Sequence, residues 1–184
     1  MRLLADFPQH PPRDSHAPPT WAARRLALRT ANLGDLPFLR KLYGQTRAVE
    51  LAAVPWPAAI REQFLDDQFA FQHTHYIKHF NDADFLVIEQ GGESIGRFYI
   101  GHNGTDIHIV DISLIWEKQG QRLGSELIEQ AQQQAAVAGS GLQLQVNVYN
   151  DGAQRLYSRL GFAVLSHGGN HIAMRWPGIQ LNTA

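Results

Sequence analysis

Two short stretches hold residue types whose spacing suits chemistry. The first, ISLIWEKQGQRLGSELI at 112–128, reads as a strand, a polar turn and a helix start. A turn that aims successive backbone N–H groups outward at a helix N-terminus receives an anion. Gly120 and Gly124 let a phosphate approach bare backbone, and Lys118 and Arg122 add charge, the arginine with fork geometry. The same spacing equally suits a plain tight strand–helix connection. The second stretch, NVYNDGAQRLYSRLGF at 147–162, puts Asn150 at a helix start and Tyr157 on the helix that follows. Asn150 suits an N-cap, and Tyr157 fits the apolar stripe of that helix as a core aromatic.

Other reactive residue types offer less. His73, His75 and His79 cluster near Tyr76, but only His75 and His79 share a helical face and no acid stands at matching spacing. They read as solvated or pocket-lining histidines, and no metal is expected. Trp56 between Pro55 and Pro57 reads as a packed loop anchor or an acceptor lid, and Gln132 to Gln134 as a solvated helix face. With no cysteine, disulfides, thiolate metal sites and a cysteine nucleophile are excluded. The lysine and Ser/Thr of a P-loop are missing from the glycine turn. With 16 Lys and Arg against 17 Asp and Glu, the formal charge of −1 argues against a basic face for nucleic acid. No run of about 18 apolar residues suggests a membrane span, and the N-terminus lacks the apolar core of a secretory signal. A cytoplasmic location without membrane partners is the expectation.

The elements that must position these residues follow from periodicity. Five of nine prolines fall within residues 1–20, so residues 1–24 read as a flexible arm. The 44% hydrophobic content supports one domain over 25–178, leaving 179–184 as a tail. A strand from Arg25 to Ala31 precedes a helix starting at Asp35 with the stripe Leu36, Leu39, Leu42 and Tyr43. A second helix after Pro57 has Ile60, Phe64, Leu65, Gln68, Phe71 and Gln72 three and four apart. Apolar runs around Gly91 and Gly92, then a third strand, predict an antiparallel meander over 84–115. A helix over 121–138 follows, then the alternating strand LQLQVNVY, a short helix over 151–160 ended by Gly161, and a hairpin around Gly168 and Gly169. The order β-α-α-β-β-β-α-β-α-β-β predicts an α/β (α+β) fold, a mixed sheet of about seven strands flanked by about four helices.

In these residues the chain resembles the GNAT superfamily of acetyl-CoA-dependent N-acetyltransferases. The phosphate signature Q/R-x-x-G-x-G/A is met by Gln119, Gly120, Gln121, Arg122, Leu123 and Gly124, with Arg122 standing where the family has glycine. The more specific signature N-x-x-A-x-x-L-Y-x-x-x-G-F is met by Asn150, Ala153, Leu156, Tyr157, Gly161 and Phe162. The resemblance covers about residues 25–176 and implies the GNAT fold and acetyl transfer from acetyl-CoA to a primary amine by direct attack in a ternary complex. It implies that amides of residues 119 to 125, ending at Ser125, hold the diphosphate, and that the strand end Ile112, Ser113 and Leu114 pairs with pantetheine. Asn150 then bonds the pantetheine arm, and Tyr157 protonates the departing thiolate. Arg122, taken with helical φ, must swing outward or lie along the diphosphate. Among ribosomal-protein alanine acetyltransferases, the nearest local resemblance, a glutamate is expected where this chain has Gln145, which cannot take a proton. Asp111, on one face with Ser113, is the replacement base; otherwise it needs a structural partner. The acceptor expected is a small amine or a peptide α-amine, and a homodimer is compatible because dimers are common in the superfamily. The alternative is a CoA-binding or partner-binding module with a worn active site.

Overall fold

The computed structural model describes residues 4–8, 10–12, 16–102 and 104–178. Seven strands form one sheet: β1 (Leu26–Thr30), β2 (Asp84–Gln90), β3 (Glu93–Gly101), β4 (Ile107–Leu114), β5 (Leu142–Asn147), β6 (Ala163–Gly168) and β7 (His171–Trp176). Their spatial order is β1-β2-β3-β4-β5-β7-β6, and only β4 and β5 run parallel. Four α-helices cover it: α1 (Leu36–Ala52), α2 (Ala58–His79), α3 (Leu123–Val137) and α4 (Asp151–Arg159). Short 3-10 turns lie at Pro19–Arg24, Leu33–Asp35 and Trp116–Lys118.

Both sheet faces are buried, so the central strands are nearly continuous apolar runs. Leu86, Ile88, Phe98, Ile100 and Leu144 pack with Leu127, Ile128 and Tyr157 beneath α3 and α4. Phe85, Val87 and Tyr99 pack with Leu39, Tyr43, Leu65 and Phe69 beneath α1 and α2. Gly91 and Gly92, with φ of 62° and 90°, turn β2 into β3 in the conformation that glycine adopts without strain.

Several expectations need correcting. The described part of the Pro-rich segment is packed rather than flexible: Phe7 and His16 are buried and Trp21 is fully enclosed in the α3-side core. The indole Nε1 of Trp21 donates to Glu126 Oε2 at 2.7 Å. Proline withholds the segment from sheet and helix, but isolated apolar side chains still anchor it. The expected tail, 179–184, lies outside the described residues. On α2 the buried face is Leu65, Phe69, Ala70 and His73, while Ile60 and Phe71 are exposed. His73 is thus no solvated histidine; its Nε2 meets the Ala5 carbonyl at 2.7 Å, and burial lowers its pKa. Nor are the glutamines merely solvated, since Gln132 Nε2 donates to the Leu160 carbonyl at 2.7 Å and Gln134 Oε1 meets His16 Nδ1 at 2.9 Å. Trp56 packs edge-on against Phe64, ring centres 5.0 Å apart, as a loop anchor.

Candidate active site

A bulge at Val110 sets the site. Tyr99 faces Asp111 while Ile100 faces Ile109, so Val110 is the extra residue in β4. Plain alternation would align Asp111 with Ile107 and Ile109 towards α3; the bulge re-aims it towards α2. The bent β4 pairs with β5 only from Ile107 opposite Leu142 to Ile109 opposite Leu144. Beyond that, β4 stays with β3 as far as Leu114 opposite Gly96, and β5 stays with β7 as far as Asn147 opposite His171. The two parallel strands therefore part into a cleft across which their facing edges are no longer paired with each other. Ile115 N–H bonds the Ile95 carbonyl on the β3 side, so alternation turns the backbone groups of Ile112 and Leu114 towards the opening.

The closed end of the cleft is clamped. Asp106 accepts from Gly141 N–H (2.9 Å), Gln143 Nε2 (2.6 Å) and Arg175 Nε and Nη2 (2.6 and 2.9 Å). The Arg175 hydrogen bond is the main cause that holds the Asp106 carboxyl below the usual carboxylate range. At the open end, Gly96 permits the close approach of β3 and β4, for a Cβ there would run into the Ser113 carbonyl oxygen.

The turn after β4 ends in a helix without a side-chain cap. Its first internal bond runs from Glu126 N–H to the Arg122 carbonyl, leaving the N–H groups of Leu123, Gly124 and Ser125 without helical partners. Gln119 Nε2 donates to the Leu114 carbonyl at 2.9 Å and Gln121 Nε2 to the Glu117 carbonyl at 2.8 Å, bracing the turn from within. A Cβ on Gly120 would meet nothing within 4 Å, and one on Gly124 only Ile112 Cδ1 at 3.8 Å. An extended chain along β4 and an anion on the turn both fit these residues.

Arg122 corrects the expectation of a helical φ: it is left-handed, with φ 65° and ψ −2°. It stands one residue before the helix, where glycine is strain-free and an L-residue costs about 1–2 kcal/mol. Its exposed guanidinium leans along α3, 3.8 Å from Glu129 Oε1, which leaves the amides uncovered.

Asp111 has the structural partner that burial demands. Arg97 Nε donates to its Oδ1 at 3.0 Å and Arg97 Nη2 to its Oδ2 at 2.7 Å. Ser113 Oγ and Tyr76 Oη donate to Oδ1 and Oδ2 at 2.8 and 2.9 Å. Arg97 is buried, and its Nη2 also donates to Gln72 Oε1 at 2.9 Å. Burial alone would lower the Arg97 pKa, but the Asp111 charge outweighs it and holds the guanidinium above its usual value. Burial, then the Asp111 charge, push the Tyr76 phenol up. With four donors on two oxygens, Asp111 has no acceptor position left for a substrate proton. Gln145, on the same sheet face, is exposed.

Tyr157 on α4 is buried against Phe162, ring centres 5.9 Å apart, and among the described residues its hydroxyl makes no hydrogen bond. Burial, then the Asp111 charge, push its pKa up to about 12. The Asn150 side-chain Oδ1 accepts from Ala153 N–H at 3.0 Å, the N-cap role, and leaves its amide nitrogen exposed beside the cleft strand β5. The network of Arg97, Tyr76 and Gln72 was not foreseen. Its one sequence signal was a lone charge inside the apolar run of β3, which only a buried partner makes tolerable.

A parallel pair that splays beside an uncapped helix N-terminus is the geometry that the fold sets out at its centre. The Acetyltransferase (GNAT) family model matches residues 47–162, more than half of the chain, and the chain belongs to that family. No curated protein matches it. Its fold is similar to that of the PaiA N-acetyltransferase of Thermoplasma acidophilum, solved with coenzyme A (17% identity, 83% of this chain and 98% of that one, TM-score 0.64). It is also similar to an acetyltransferase of Thermus thermophilus (18%, 83% and 96%, TM-score 0.62). A third similar structure is the ribosomal-protein-S18-alanine N-acetyltransferase of Escherichia coli (19%, 86% and 98%, TM-score 0.57). Among the described residues no helix is long and apolar enough to cross a membrane.

Proposed function

We propose that the protein transfers an acetyl group from acetyl-CoA to a primary amine, by direct attack in a ternary complex. The observation that carries this reading is the splay of β4 from β5 beside the uncapped turn. In it, the free amides of residues 119–125 hold the diphosphate and the Ile112–Leu114 edge pairs with the pantetheine amides as another strand would. The Asn150 amide nitrogen reaches the same arm while its oxygen keeps the cap. Backbone N–H on the open edge of β4 polarises the thioester carbonyl, so the protein supplies positioning and oxyanion stabilisation rather than a covalent nucleophile. The acceptor enters from the α1–α2 side, where a cleft of about 600 Å³ is lined by Arg40, Leu51, Glu62, Asp66 and Trp116. Calorimetry with acetyl-CoA followed by turnover with an amine panel tests this: binding and acetylated product are expected. No binding at millimolar ligand overturns the reading, and binding without turnover leaves the worn module.

In this mechanism Tyr157 donates its phenolic hydrogen towards the departing sulfur. A phenol pushed up to about 12 stays protonated throughout the working range. Full transfer to a thiolate with the ordinary thiol pKa of about 8.5 is uphill by roughly 5 kcal/mol. Its contribution is therefore a hydrogen bond that strengthens as charge builds on sulfur. Tyr157→Phe is expected to lower kcat about 100-fold, the low end for an acid catalyst, with the acetyl-CoA Kd nearly unchanged. Because the neutral phenol is the active form, kcat should show no loss from this group between pH 7 and 10. An unchanged kcat in the variant returns Tyr157 to the core.

The acceptor proposed is an amine partly neutral near pH 7, such as a peptide or amino-acid α-amine. With Asp111 saturated, glutamine at 145, and Glu62 and Asp66 both paired with Arg40, no unpaired carboxylate lines the cleft among the described residues. Deprotonating a lysine of pKa about 10.4 at pH 7 costs about 4.6 kcal/mol, against about 1 kcal/mol for an α-amine near 7.8. Acceptors matched except for amine pKa should show kcat/KM favouring the α-amine at pH 7, the gap closing towards pH 9. A clear win for the ε-amine at pH 7 overturns this preference.

A further inference from the structure

The residues that fasten the N-terminal segment to the sheet have a second capacity. His16, from that segment, is 3% exposed, and its Nε2 lies 2.8 Å from Oδ2 of buried Asp84 at the start of β2. His102, just after β3, puts its Nε2 3.7 Å from the same oxygen. Ligand atoms of the three residues lie within 4.8 Å of one another. The His102 Nε2 is buried without a hydrogen-bond partner among the described residues. His10 Nδ1 stands 3.6 Å from Oδ1, the other oxygen of the Asp84 carboxylate, and meets the Pro11 carbonyl at 3.3 Å, so it lies outside the cluster.

We propose that His16, Asp84 and His102 form a binding site for a divalent transition cation of the zinc class, with water completing the coordination. Ligands 2.0–2.2 Å from a tetrahedral zinc stand about 3.3 Å apart, and the present separations of 2.8 and 3.7 Å bracket that value. Two imidazoles and a carboxylate suit zinc, cobalt or nickel rather than magnesium or calcium. His16 already has the outer partner that metal-bound histidines use, for its Nδ1 meets Gln134 Oε1 of α3 at 2.9 Å. The cation would tie the N-terminal segment, the edge of β2, the end of β3 and, through Gln134, α3. It sits away from the chemistry: Asp84 pairs with Ile100 at one end of β3, while the phosphate turn follows Leu114 opposite Gly96 near the other. Four residue steps of strand, at about 3.4 Å each, separate the two ends. The site is therefore structural and independent of the acetyl-transfer reading.

The test is calorimetric titration of the tag-free, chelator-treated full chain with zinc chloride, with thermal melting in parallel. One equivalent should bind and raise the melting temperature. His102→Ala and the bulkier His102→Gln should each weaken binding on the order of 100-fold, and Gln134→Ala about tenfold. The double variant His75→Ala, His79→Ala removes the exposed histidine pair stacked at 4.2 Å on α2 and should bind like the parent. Cobalt loading should give the intense visible bands of a four-coordinate site in the parent and not in His102→Ala. No stoichiometric binding, binding kept by both His102 variants, or binding lost only with His75 and His79 each overturns the proposal.

Discussion

Arg97→Met is expected to destabilise the protein by about 3–5 kcal/mol, read as a fall in the urea midpoint with an unchanged slope. The Asp111 carboxylate is 11% exposed at the side chain and the Arg97 guanidinium 3%. Removing the arginine takes two of the four hydrogen bonds from a carboxylate that water cannot reach freely. It also frees Gln72 Oε1 and removes the cation that lies 5.4 Å over the Tyr99 ring. The cost is mainly that of an unpaired buried charge, not the net worth of the pair. The second half of the expectation follows: Arg97→Met with Asp111→Leu should recover most of the loss, since both partners are then apolar. Asp111→Asn keeps its size and one accepting oxygen for a hydroxyl donor, and should fall between them. If Arg97→Met is nearly neutral, Asp111 is more solvated than its four donors imply, and its candidacy as a base revives. The same variants assayed for kcat/KM separate the roles, because a purely structural Asp111 shows activity tracking the folded fraction.

The strands, helices and their order were legible because each element is locally consistent: period two in LQLQVNVY, positive-φ glycines at 91 and 92, an N-capping Asn150. What could not be read was relative placement. The parity of β4 assigns Asp111 to the face of Ile107 and Ile109; one bulged residue, which leaves no mark in composition, moves it to the face of Arg97 and Tyr76. Arg122 takes helical φ in a helix read from 121, but the helix begins two residues later, at Leu123, and Arg122 before it is left-handed. On α2 the stripe was misphased because aromatic residues lie on several sides of that helix, and only packing against β2 and β3 chooses Phe69 over Phe71. The Pro-rich segment fails as an arm because Phe7, His16 and Trp21 make long-range contacts that no local pattern reports.

Gly124→Asp should weaken acetyl-CoA binding on the order of 1,000-fold, about 4 kcal/mol, while leaving the ligand-free protein as stable as before or slightly more so. The two halves come from one position. Gly124 is the second residue of α3, with no positive φ, and a Cβ there meets only Ile112 Cδ1 at the ordinary contact distance of 3.8 Å. Replacing glycine in a helix recovers roughly 0.5–1 kcal/mol of backbone entropy, and an acidic residue in the first turn gains about 0.3–1 kcal/mol from the helix dipole. The carboxylate therefore occupies without strain the place that the proposed function gives to a diphosphate. It offers like charge to the incoming anion and takes the free N–H groups that would have bound it, and like-charge juxtaposition costs several kcal/mol. Gly124→Ala isolates the volume term and should weaken binding far less. Melting curves with and without acetyl-CoA read both halves at once. For the parent, ligand at 100 times its Kd adds about 2.7 kcal/mol of stability; for Gly124→Asp the curves with and without ligand should superimpose, at or above the ligand-free parent. A full ligand-induced shift in Gly124→Asp would place the diphosphate away from this turn, and with it the assignment of the β4–β5 cleft to acetyl-CoA would fall.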